Sequence, residues 1–378
     1  MNDISQDKVF MRQALRLAVK AKGQTSPNPL VGAVVVKRGQ VVGQGYHRRA
    51  GNPHAEIIAL QKAGSRARGA TLYVTLEPCC HTSKRTPPCV PSIRSAGIQR
   101  VVVAMRDPNP KVKGRGFRQL QQAGIDTDVG CLEEEAMQLN QIYQHWITTG
   151  RPFVILKTAM TLDGKIATAS GESKWITGQA ARQHVHQLRS HVDAIMVGLG
   201  TVRKDNPELS VRQDLSRQRT KSQRQPVRVI LDSRLRIPLE SKILQWTLEQ
   251  ATMICTTSLA PQAKKEQLRK SHVTVLELSQ KNGKVSLSAC LKQLGKMGIT
   301  SVLVEGGSTL NAAMFEGGWV NQVHIYVAPR ILGGVDAISV IGGLSPKHIS
   351  QAVTVTDLQV QHVGEDFVWI GNCVPCRR

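Results

Sequence analysis

The chain reads His54-Ala55-Glu56, then Glu77-Pro78-Cys79, then Pro87-Pro88-Cys89. These three strings supply one imidazole, two cysteine thiols and a carboxylate two residues after the imidazole. Zinc binds histidine nitrogen and cysteine sulfur readily, and a catalytic zinc site keeps three protein ligands and one open position. The strings therefore predict a zinc site built from the imidazole of the first string and the thiols of the other two.

His54, Cys79 and Cys89 are the predicted ligands of one zinc ion per chain, and Glu56 is the predicted proton-transfer residue. We expect His54 and Glu56 at the start of one helix, where both side chains can reach one point. Zinc would lower the pKa of its bound water toward about 7. Glu56 would take the water proton and pass it to a ring nitrogen and then to a departing amine. This order of residues is typical of zinc-dependent deaminases of nucleobase-like rings.

A structural zinc site, or a reduced pair of core cysteines, is the alternative interpretation. A structural site closes its fourth position with another Cys or His, and Cys80 and His81 are near enough in sequence to do so. A carboxylate two residues after the histidine ligand has no purpose in a structural site, which favours catalysis. Cys80 is then expected to be a bystander, and His81 to face the substrate.

Length and composition predict two cytoplasmic domains. A chain of 378 residues exceeds the size of one ordinary domain, and its hydrophobic content of 41% can build two cores. It has no apolar run long enough to span a membrane, and Met1–Asp7 lacks the basic and apolar segments of a signal peptide. In the cytoplasm its eight cysteines are expected to be reduced.

The net charge of +23 suits nucleic acid, an acidic membrane or a phosphorylated small molecule. The densest basic stretch, residues 212–228, is also rich in Gln and Ser, which favours a solvated loop over a polyanion site. Aromatic content of 4% gives poor support to a stacking platform for single-stranded nucleic acid. We expect a phosphorylated small-molecule substrate, no nucleic-acid or membrane partner, and a homo-oligomer, either a dimer or a tetramer.

Hydrophobic periodicity predicts alternating helices and strands, an α/β pattern, in both halves of the chain. Glu133 to Thr148 is predicted to form one long helix. Gly150-Arg151-Pro152 interrupts the pattern, since proline cannot extend that helix, and predicts domains of residues 1–149 and 150–378. The other predicted helices are 8–22, 54–63, 91–96, 178–190, 287–297 and 308–316, and the predicted strands are 31–36, 41–45, 71–76, 100–104, 153–158, 193–198, 227–232, 252–256, 273–276, 301–304 and 322–328.

Further motifs surround the zinc strings: Thr25–Ala33, Gly45-Tyr46-His47, Glu77–His81, Thr86–Cys89 and Asp107–Pro110. In this order they resemble the deaminase half of the bifunctional riboflavin-biosynthesis deaminase/reductase family. The resemblance implies a cytidine-deaminase-like α/β/α domain of three layers, with Asn28 and His47 lining the substrate pocket. Nine residues separate Cys79 from Cys89, one more than the family pattern, and the extra residue falls around residues 82–85.

In the second half, an apolar strand is predicted to meet Gly306-Gly307-Ser308-Thr309 and then a helix. Glycines let backbone N–H groups approach a phosphate at the positive end of a helix, although a plain strand-to-helix turn would look the same. Gly198-Leu199-Gly200 lacks the full spacing of a Rossmann fingerprint. The motifs Leu156–Ala167, Asp193–Val202 and Val302–Leu310 occur in the order of the reductase half of the same family.

The second resemblance implies a dihydrofolate-reductase-like α/β domain with NADPH as hydride donor. Two of the residues that the resemblance implies, Arg189 and Arg212, carry a guanidinium group. Its forked donors suit the phosphate of a ribose 5-phosphate. Lys157 and Asp163 recur in these motifs without an assigned role. By position, the resemblance implies cofactor contacts from Ala159, Trp175, Thr201, Asp205, Ser233 and Gly307, and substrate contacts from Ser173, Arg189, Leu209, Arg212 and Glu305.

Together the two resemblances predict a bifunctional enzyme. Its first domain would deaminate 2,5-diamino-6-(5-phosphoribosylamino)pyrimidin-4-one, and its second would reduce the ribosyl chain to give 5-amino-6-(5-phosphoribitylamino)uracil. Two other classes of protein stay open on the residues alone. One is a nucleic-acid-editing deaminase fused to a binding domain, and the other is a zinc-stabilised structural or regulatory protein.

Overall fold

The structure is a computed structural model that describes residues 4–81, 86–212, 224–245 and 250–374. The chain divides into two compact units, Met1–Gly150 and Arg151–Arg378. Both are mixed α/β structures, as the sequence pattern predicts. No helix in the described ranges is long and apolar enough to cross a membrane.

The first unit is built on a five-stranded sheet with strand order β2-β1-β3-β4-β5. Strand β1 pairs antiparallel with β2 and β3, whereas β3, β4 and β5 run parallel. The elements are α1 (Ile4–Val19), β1 (Gly32–Lys37), β2 (Gln40–Tyr46), α2 (Ala55–Ala63), β3 (Thr71–Leu76), α3 (Cys89–Ser95), β4 (Arg100–Met105), α4 (Arg115–Gln122), β5 (Asp126–Val129), α5 (Glu133–Leu139) and α6 (Gln141–Thr149).

Alternation of buried side chains along the strands gives this sheet an apolar core on each face. On β3, Leu72 and Val74 pack with the core that contains α2, α3 and α4, while Tyr73 packs on the opposite face with α1 and α6. Successive strand residues point to opposite faces, so helices cover both sides. The result is the three-layer α/β/α arrangement that the resemblance implies.

The prediction of one long helix over residues 133–148 is wrong. The chain forms α5 and α6, separated at Asn140, whose backbone has φ −107° and ψ 17°. The Asn140 side chain binds the backbone of Leu30, accepting from its N–H at 2.8 Å and donating to its carbonyl at 3.0 Å. Asparagine competes for backbone groups in this way, and the partner here lies 110 residues away.

The second unit is built on a nine-stranded sheet with strand order β11-β10-β9-β8-β14-β6-β15-β18-β17. The seven strands from β11 to β15 are parallel, and β18 and β17 add an antiparallel hairpin at one edge. The elements are β6 (Phe153–Thr161), β7 (Lys165–Ala167), α7 (Gln179–Ser190), β8 (Ala194–Gly198), α8 (Leu199–Asp205), β9 (Val227–Leu231), β10 (Thr252–Thr256), α9 (Gln262–Lys270), β11 (Thr274–Glu277), β12 (Gln280–Lys281), β13 (Lys284–Val285), α10 (Leu287–Lys296), β14 (Ser301–Val304), α11 (Ser308–Glu316), β15 (Gln322–Ala328), β16 (Ile338–Ser339), β17 (Thr354–Val363) and β18 (Asp366–Val374).

The predicted strands and helices of this unit are present, but several further elements were not predicted from the sequence. Helix α9 has only Ala263 and Leu268 as apolar residues, too few for a readable periodicity. Strand β17 is exposed along nearly its whole length, so burial does not alternate along it as in a half-buried strand. Much of the basic 212–228 stretch lies outside the described residues.

Candidate active sites

The predicted zinc ligands of the first unit come together at the ends of three elements. His54 is the N-cap residue of α2, Cys79 follows β3, and Cys89 is the first residue of α3. The Nδ1 atom of His54 lies 3.4 Å from Cys79 Sγ and 3.2 Å from Cys89 Sγ. All three ligand atoms lie within 4.8 Å of one another.

This arrangement fits a zinc ion. Tetrahedral zinc, with Zn–N near 2.0 Å and Zn–S near 2.3 Å, separates nitrogen from sulfur by about 3.5 Å. The Cys89 backbone N–H also points to Cys79 Sγ at 3.4 Å, a contact that stabilises a thiolate there. Within residues 4–81 and 86–212 and the other described ranges, the cluster consists of one histidine and two cysteines, which is the donor set of a catalytic zinc site.

Glu56 lies in the first turn of α2, as predicted, and is 3% exposed. Burial raises the pKa of its carboxyl group, and the neighbouring Cys79 raises it further. Its Oε2 atom is buried without a hydrogen-bond partner among the described residues. A buried carboxylate oxygen of this kind is costly unless a ligand or water satisfies it, which is the situation expected of a proton-transfer group.

The residues that could have closed the metal site do not join it. Cys80 packs at the edge of the hydrophobic core, and His81 lines the adjacent cavity. Thr86 contributes instead, because its Oγ1 lies 2.9 Å from His54 Nε2. With Nδ1 facing the thiols, Nε2 carries the ring proton and donates it to the threonine hydroxyl. The extra residue that we place at 82–85 lies outside the described residues.

A cavity of about 520 Å³ is lined by Glu56 and by two of the candidate metal ligands, His54 and Cys79. Its volume is typical of small-molecule sites. Asn28 and His47, the predicted substrate residues, both line it. Asn28 Nδ2 lies 3.0 Å from His47 Nε2, and His47 Nδ1 lies 3.2 Å from the Pro53 carbonyl. The structure therefore brings both residues to the cavity and to each other.

Glu77 organises one wall of the cavity, a role that the motif alone did not reveal. This carboxylate is 2% exposed and accepts backbone N–H groups from Asp107 at 3.2 Å, Gly114 at 3.0 Å and Gly116 at 3.0 Å. A Cβ at position 116 would lie 2.3 Å from the Pro78 carbonyl. Glycine at 116 and the carboxylate at 77 together let α4 approach the segment that carries Cys79.

Asp107 and Tyr143 form a second contact of the cavity wall that sequence reasoning missed. The Tyr143 hydroxyl donates to Asp107 Oδ1 at 3.0 Å, and the same oxygen accepts the Asn109 N–H at 2.9 Å. Burial raises the pKa of Asp107 to about 6, against the effect of these hydrogen bonds. The Asp107–Pro110 motif was the one sequence feature that pointed to this part of the cavity wall, but nothing in the sequence linked it to Tyr143.

In the second unit, the carboxyl ends of the parallel strands gather the predicted cofactor residues at one edge of the sheet. This edge is where ligands bind in open α/β sheets. Gly307 is the N-cap residue of α11, and a Cβ there or at Gly200 would meet no atom within 4 Å. The positive end of α11 thus faces open space that can hold a phosphate.

The other predicted cofactor residues lie on neighbouring elements of the second unit. Ala159 lies on β6, Thr201 and Asp205 lie on α8, and Ser233 follows β9. The Ser233 hydroxyl is the hydrogen-bond acceptor of the Val285 N–H at 3.0 Å. The remaining residue, Trp175, is 65% exposed, and the Cζ atom of Arg182 lies 4.5 Å from the centroid of its ring.

Arg189 and Glu305, predicted as two separate substrate residues, form an ion pair. The Arg189 Nε and Nη2 atoms donate to the two Glu305 oxygens at 2.7 and 2.9 Å. Nη1 of Arg189 donates to the Ser210 carbonyl at 3.1 Å. Burial opposes ionisation of Glu305, but Arg189 prevails and lowers the pKa of Glu305 to about 2.

The other predicted substrate residues differ in exposure. Arg212 is exposed and pairs with Glu208 at 3.3 Å, and its backbone N–H donates to His186 at 3.1 Å. Ser173 is half-buried in the segment before α7, whereas Leu209 is 4% exposed. Lys157, unassigned from sequence, has its pKa lowered by burial, opposed by the nearby Glu305 carboxylate.

Two family models match the chain, one in each unit. Residues 4–105 match the cytidine and deoxycytidylate deaminase zinc-binding region. Residues 152–369 match the RibD C-terminal domain. The first match contains all three candidate zinc ligands, and the second contains the carboxyl edge described above.

Relatives match nearly the whole chain. The riboflavin biosynthesis protein RibD of Actinobacillus pleuropneumoniae is 47% identical over 95% of this chain and 93% of its own. RibD of Escherichia coli strain K12 is 41% identical over 96% of this chain and 98% of its own.

Solved structures of similar fold also match nearly the whole chain. One crystal form of Acinetobacter baumannii RibD matches with a TM-score of 0.89 and 40% identity, over 98% of this chain and 100% of that one. A diaminohydroxyphosphoribosylaminopyrimidine deaminase/5-amino-6-(5-phosphoribosylamino)uracil reductase from Thermotoga maritima matches with a TM-score of 0.83 and 35% identity, over 98% and 99% of the two chains. With a zinc-type deaminase site in one unit and a reductase fold in the other, the chain belongs to the RibD family of bifunctional riboflavin-biosynthesis enzymes, each with a deaminase and a reductase domain.

Proposed function

We propose that residues 1–149 deaminate 2,5-diamino-6-(5-phosphoribosylamino)pyrimidin-4-one and that residues 150–378 reduce the ribosyl chain of the product with NADPH. The observation that carries the first step is the unpartnered Oε2 of Glu56 beside the His54, Cys79 and Cys89 ligand set. A cavity of about 520 Å³ opens at the same place and suits a small substrate.

In the deamination, zinc bound by His54, Cys79 and Cys89 supplies the Lewis acidity that makes a water molecule nucleophilic near neutral pH. Glu56 takes one proton from the water and gives it to the ring nitrogen. It then takes the second proton, from the hydroxyl added to the carbon, and gives it to the amine, so that ammonia leaves and a carbonyl remains. His47 donates from Nδ1 to Pro53 and accepts from the Asn28 amide at Nε2. This leaves the Asn28 side-chain oxygen as an acceptor for a donor on the pyrimidine ring.

In the reduction, NADPH would supply the hydride when bound, and residues at the carboxyl edge of the sheet would hold it beside the substrate. Open space at the start of α11 beside Gly307 fits a phosphate of the nucleotide. Around it we place the cofactor contacts of Ala159, Trp175, Thr201, Asp205 and Ser233.

The substrate phosphate would bind Arg189 and Arg212, with Ser173, Leu209 and Glu305 completing the site. The ion pair with Glu305 uses only some N–H groups of Arg189, so both of its terminal nitrogens retain a donor. Arg212 is exposed, and its pairing with Glu208 is a surface contact that a phosphate can displace.

The two activities can be measured separately on one preparation. Ammonia release from the pyrimidine substrate reports the first step, and absorbance loss at the nicotinamide band, with NADPH compared against NADH, reports the second. We expect Glu56→Gln to abolish ammonia release while zinc content and reduction of the deaminated substrate are kept. Exposed Glu134→Gln is the matched control. Ammonia release that survives Glu56→Gln would refute the proton-transfer assignment.

The phosphate assignment has its own test. We expect Arg189→Ala combined with Arg212→Ala to raise KM of the reductase step by at least about tenfold. Loss of even one charge-assisted contact to the phosphate would account for a change of that size. An unchanged rate of NADPH oxidation at low substrate would refute it. The exposed Arg203→Ala change on α8 serves as the control, since the Arg203 guanidinium donates to the Arg236 carbonyl at 2.9 Å rather than to the proposed phosphate site.

We propose that the chain acts in the cytoplasm on a phosphorylated small molecule, without nucleic-acid or membrane partners. Ligation of zinc needs Cys79 and Cys89 as reduced thiols, which a reducing compartment maintains. All seven cysteines in the described ranges are free. The cavity of about 520 Å³ is of a size that suits a small molecule.

We also propose a homo-oligomer, a dimer or a tetramer, joined through the edge strand β17. Leu358 is 55% exposed and Val360 57% exposed on this edge, and long apolar edges favour pairing with another chain. Sedimentation at varied concentration would test it, because Leu358→Lys with Val360→Lys should shift the chain to monomer. A native monomer would refute the proposal.

A further inference from the structure

Helix α6 presents one face to the cavity of the first unit. Asn140 immediately precedes the helix, and Tyr143, Trp146 and Ile147 follow at spacings of three and four residues, which places them on the same side. The last three line the cavity. Trp146 and Ile147 form an apolar part of the cavity wall. Asn140 and Tyr143 form hydrogen bonds with two separate loops.

Asn140 holds the first of these loops. Its side chain is 2% exposed, accepts the Leu30 N–H at 2.8 Å and donates to the Leu30 carbonyl at 3.0 Å. One carboxamide therefore satisfies both polar backbone groups of a single residue. Only a group with an adjacent donor and acceptor can do this, and a buried backbone group left without its partner costs about 1–3 kcal/mol.

The Leu30 contact controls where Asn28 lies. Proline occupies positions 27 and 29 on either side of Asn28, and proline restricts the backbone on both sides. The Asn28 N–H donates to the Thr25 carbonyl at 2.8 Å, which closes a turn. Because this segment is stiff, fixing Leu30 also restricts the position of the Asn28 side chain. Asn28 Nδ2 lies 3.0 Å from His47 Nε2 in the cavity.

Tyr143 holds the second loop through Asp107, at 3.0 Å. That loop is also fixed by Glu77, which accepts the Asp107 N–H at 3.2 Å. Loss of the Tyr143 hydroxyl therefore leaves one anchor in place. Loss of Asn140 removes both side-chain bonds to Leu30 itself. The remaining bonds of that loop lie on neighbouring residues, such as the one from the His47 N–H to the Val31 carbonyl at 2.9 Å.

We propose that Asn140 is a positioning residue for substrate binding in the deaminase step, acting through Leu30 on Asn28. This inference rests on the deaminase function proposed above. It predicts that loss of the Asn140 contact weakens binding of the pyrimidine substrate more than it slows the chemistry, because the candidate zinc ligands and Glu56 lie on other elements. Tyr143→Phe is expected to have the smaller effect.

The test compares Asn140→Leu with Gln144→Leu in the full chain. Gln144 lies on the same helix, but its amide donates to the Met137 carbonyl at 2.8 Å rather than to a cavity loop. We expect Asn140→Leu to raise KM for deamination about tenfold or more, with kcat changed less than about threefold. Zinc content and reductase rate should stay unchanged, and Gln144→Leu should leave KM within about twofold.

Asn140→Asp gives a second readout that a purely structural role would not move. A protonated carboxyl group offers the donor and acceptor that the amide offers, whereas a carboxylate can only accept. Burial raises the pKa of an introduced aspartate. The ratio of variant to native KM should therefore fall as the assay moves from about pH 8 to about pH 6.

Hydrogen exchange at the Leu30 amide gives a readout independent of activity. Exchange should be at least about tenfold faster in Asn140→Leu and unchanged in Gln144→Leu. Native KM and native Leu30 exchange in Asn140→Leu would overturn the proposal, as would a loss confined to kcat. If Asn140→Leu does not fold, a pH-independent KM ratio in Asn140→Asp overturns it. A native chain that releases no ammonia refutes the deaminase function instead, and the exchange result still decides the loop contact.

Discussion

Arg189 and Glu305 lie 116 residues apart and meet in two N–H···O contacts of 2.7 and 2.9 Å. Their side chains are 14% and 9% exposed, so this ion pair is largely removed from water. Buried pairs of this kind are strongly destabilising when one partner is removed, because the other charge remains uncompensated. The pair therefore links helix α7 to the end of β14, where we propose that the reductase substrate binds.

Replacing Arg189 with alanine should destabilise the second unit by about 3–5 kcal/mol, through the buried Glu305 carboxylate that it leaves behind. Urea unfolding followed by hydrogen exchange in β14 measures this. Arg189→Ala combined with Glu305→Gln should restore part of the loss, since the charge is then gone. A single-variant loss under about 1 kcal/mol, the value of a surface pair, would contradict the prediction.

The stability of the second unit should fall in acid. The pKa of Glu305 lies near 2 in the folded chain against an ordinary value of 4.5. A lowered pKa stabilises the fold above the ordinary value, and this contribution disappears as pH falls from 4.5 toward 2. Its size is of the order of 3 kcal/mol. The difference in unfolding free energy between native and Glu305→Gln chains should shrink below about pH 4.5; a constant difference would contradict it.

Zinc affinity should depend on Thr86. Its hydroxyl accepts the Nε2 proton of His54 at 2.9 Å and so orients the ring toward the thiols. Thr86→Val keeps the shape and removes the acceptor, and loss of such a partner costs about 10–100-fold in metal affinity. Competition with a chromophoric chelator measures it. Thr86→Ser, which keeps the hydroxyl, is the control, and equal affinities in all three chains would exclude this role.

Gly116→Ala should weaken both the fold and zinc retention. The new Cβ would lie 2.3 Å from the Pro78 carbonyl and 3.1 Å from Glu77 Oε1, so the backbone that carries Cys79 has to move. Overpacking of this kind costs about 1–3 kcal/mol. Thermal unfolding and zinc content measure the effect. Gly200→Ala, which meets no atom within 4 Å, should leave both unchanged.

The cluster of His54, Cys79 and Cys89 could be predicted because the motifs that carry these residues are local in sequence. His54 and Glu56 share a helix start, and β3, a short run of β-branched and apolar residues, delivers Cys79. The ligand types and their order specify the metal without knowledge of the fold. Strand β3 itself was predicted with its observed bounds, residues 71–76.

The supporting contacts could not be predicted, because each depends on residues far apart in the chain. Nothing in the 133–148 pattern showed that Asn140 would bind Leu30 and divide the helix. Nor did the spacing of Arg189 and Glu305 reveal that they would pair. Sequence periodicity reports which face of an element is buried, whereas these contacts depend on which elements become neighbours in the fold.

The position of α6 in the chain has a consequence for synthesis. All three candidate zinc ligands and Glu56 precede residue 90, but the helix that holds the Leu30 and Asp107 loops is completed only at Thr149. Ribosomes add roughly 5–20 residues per second, and domains fold as they emerge. All candidate metal ligands of the nascent chain have therefore been synthesised several seconds before α6 can form. A chain shortened to the zinc-binding region alone, residues 4–105, would keep the ligands and lack the wall that positions a substrate.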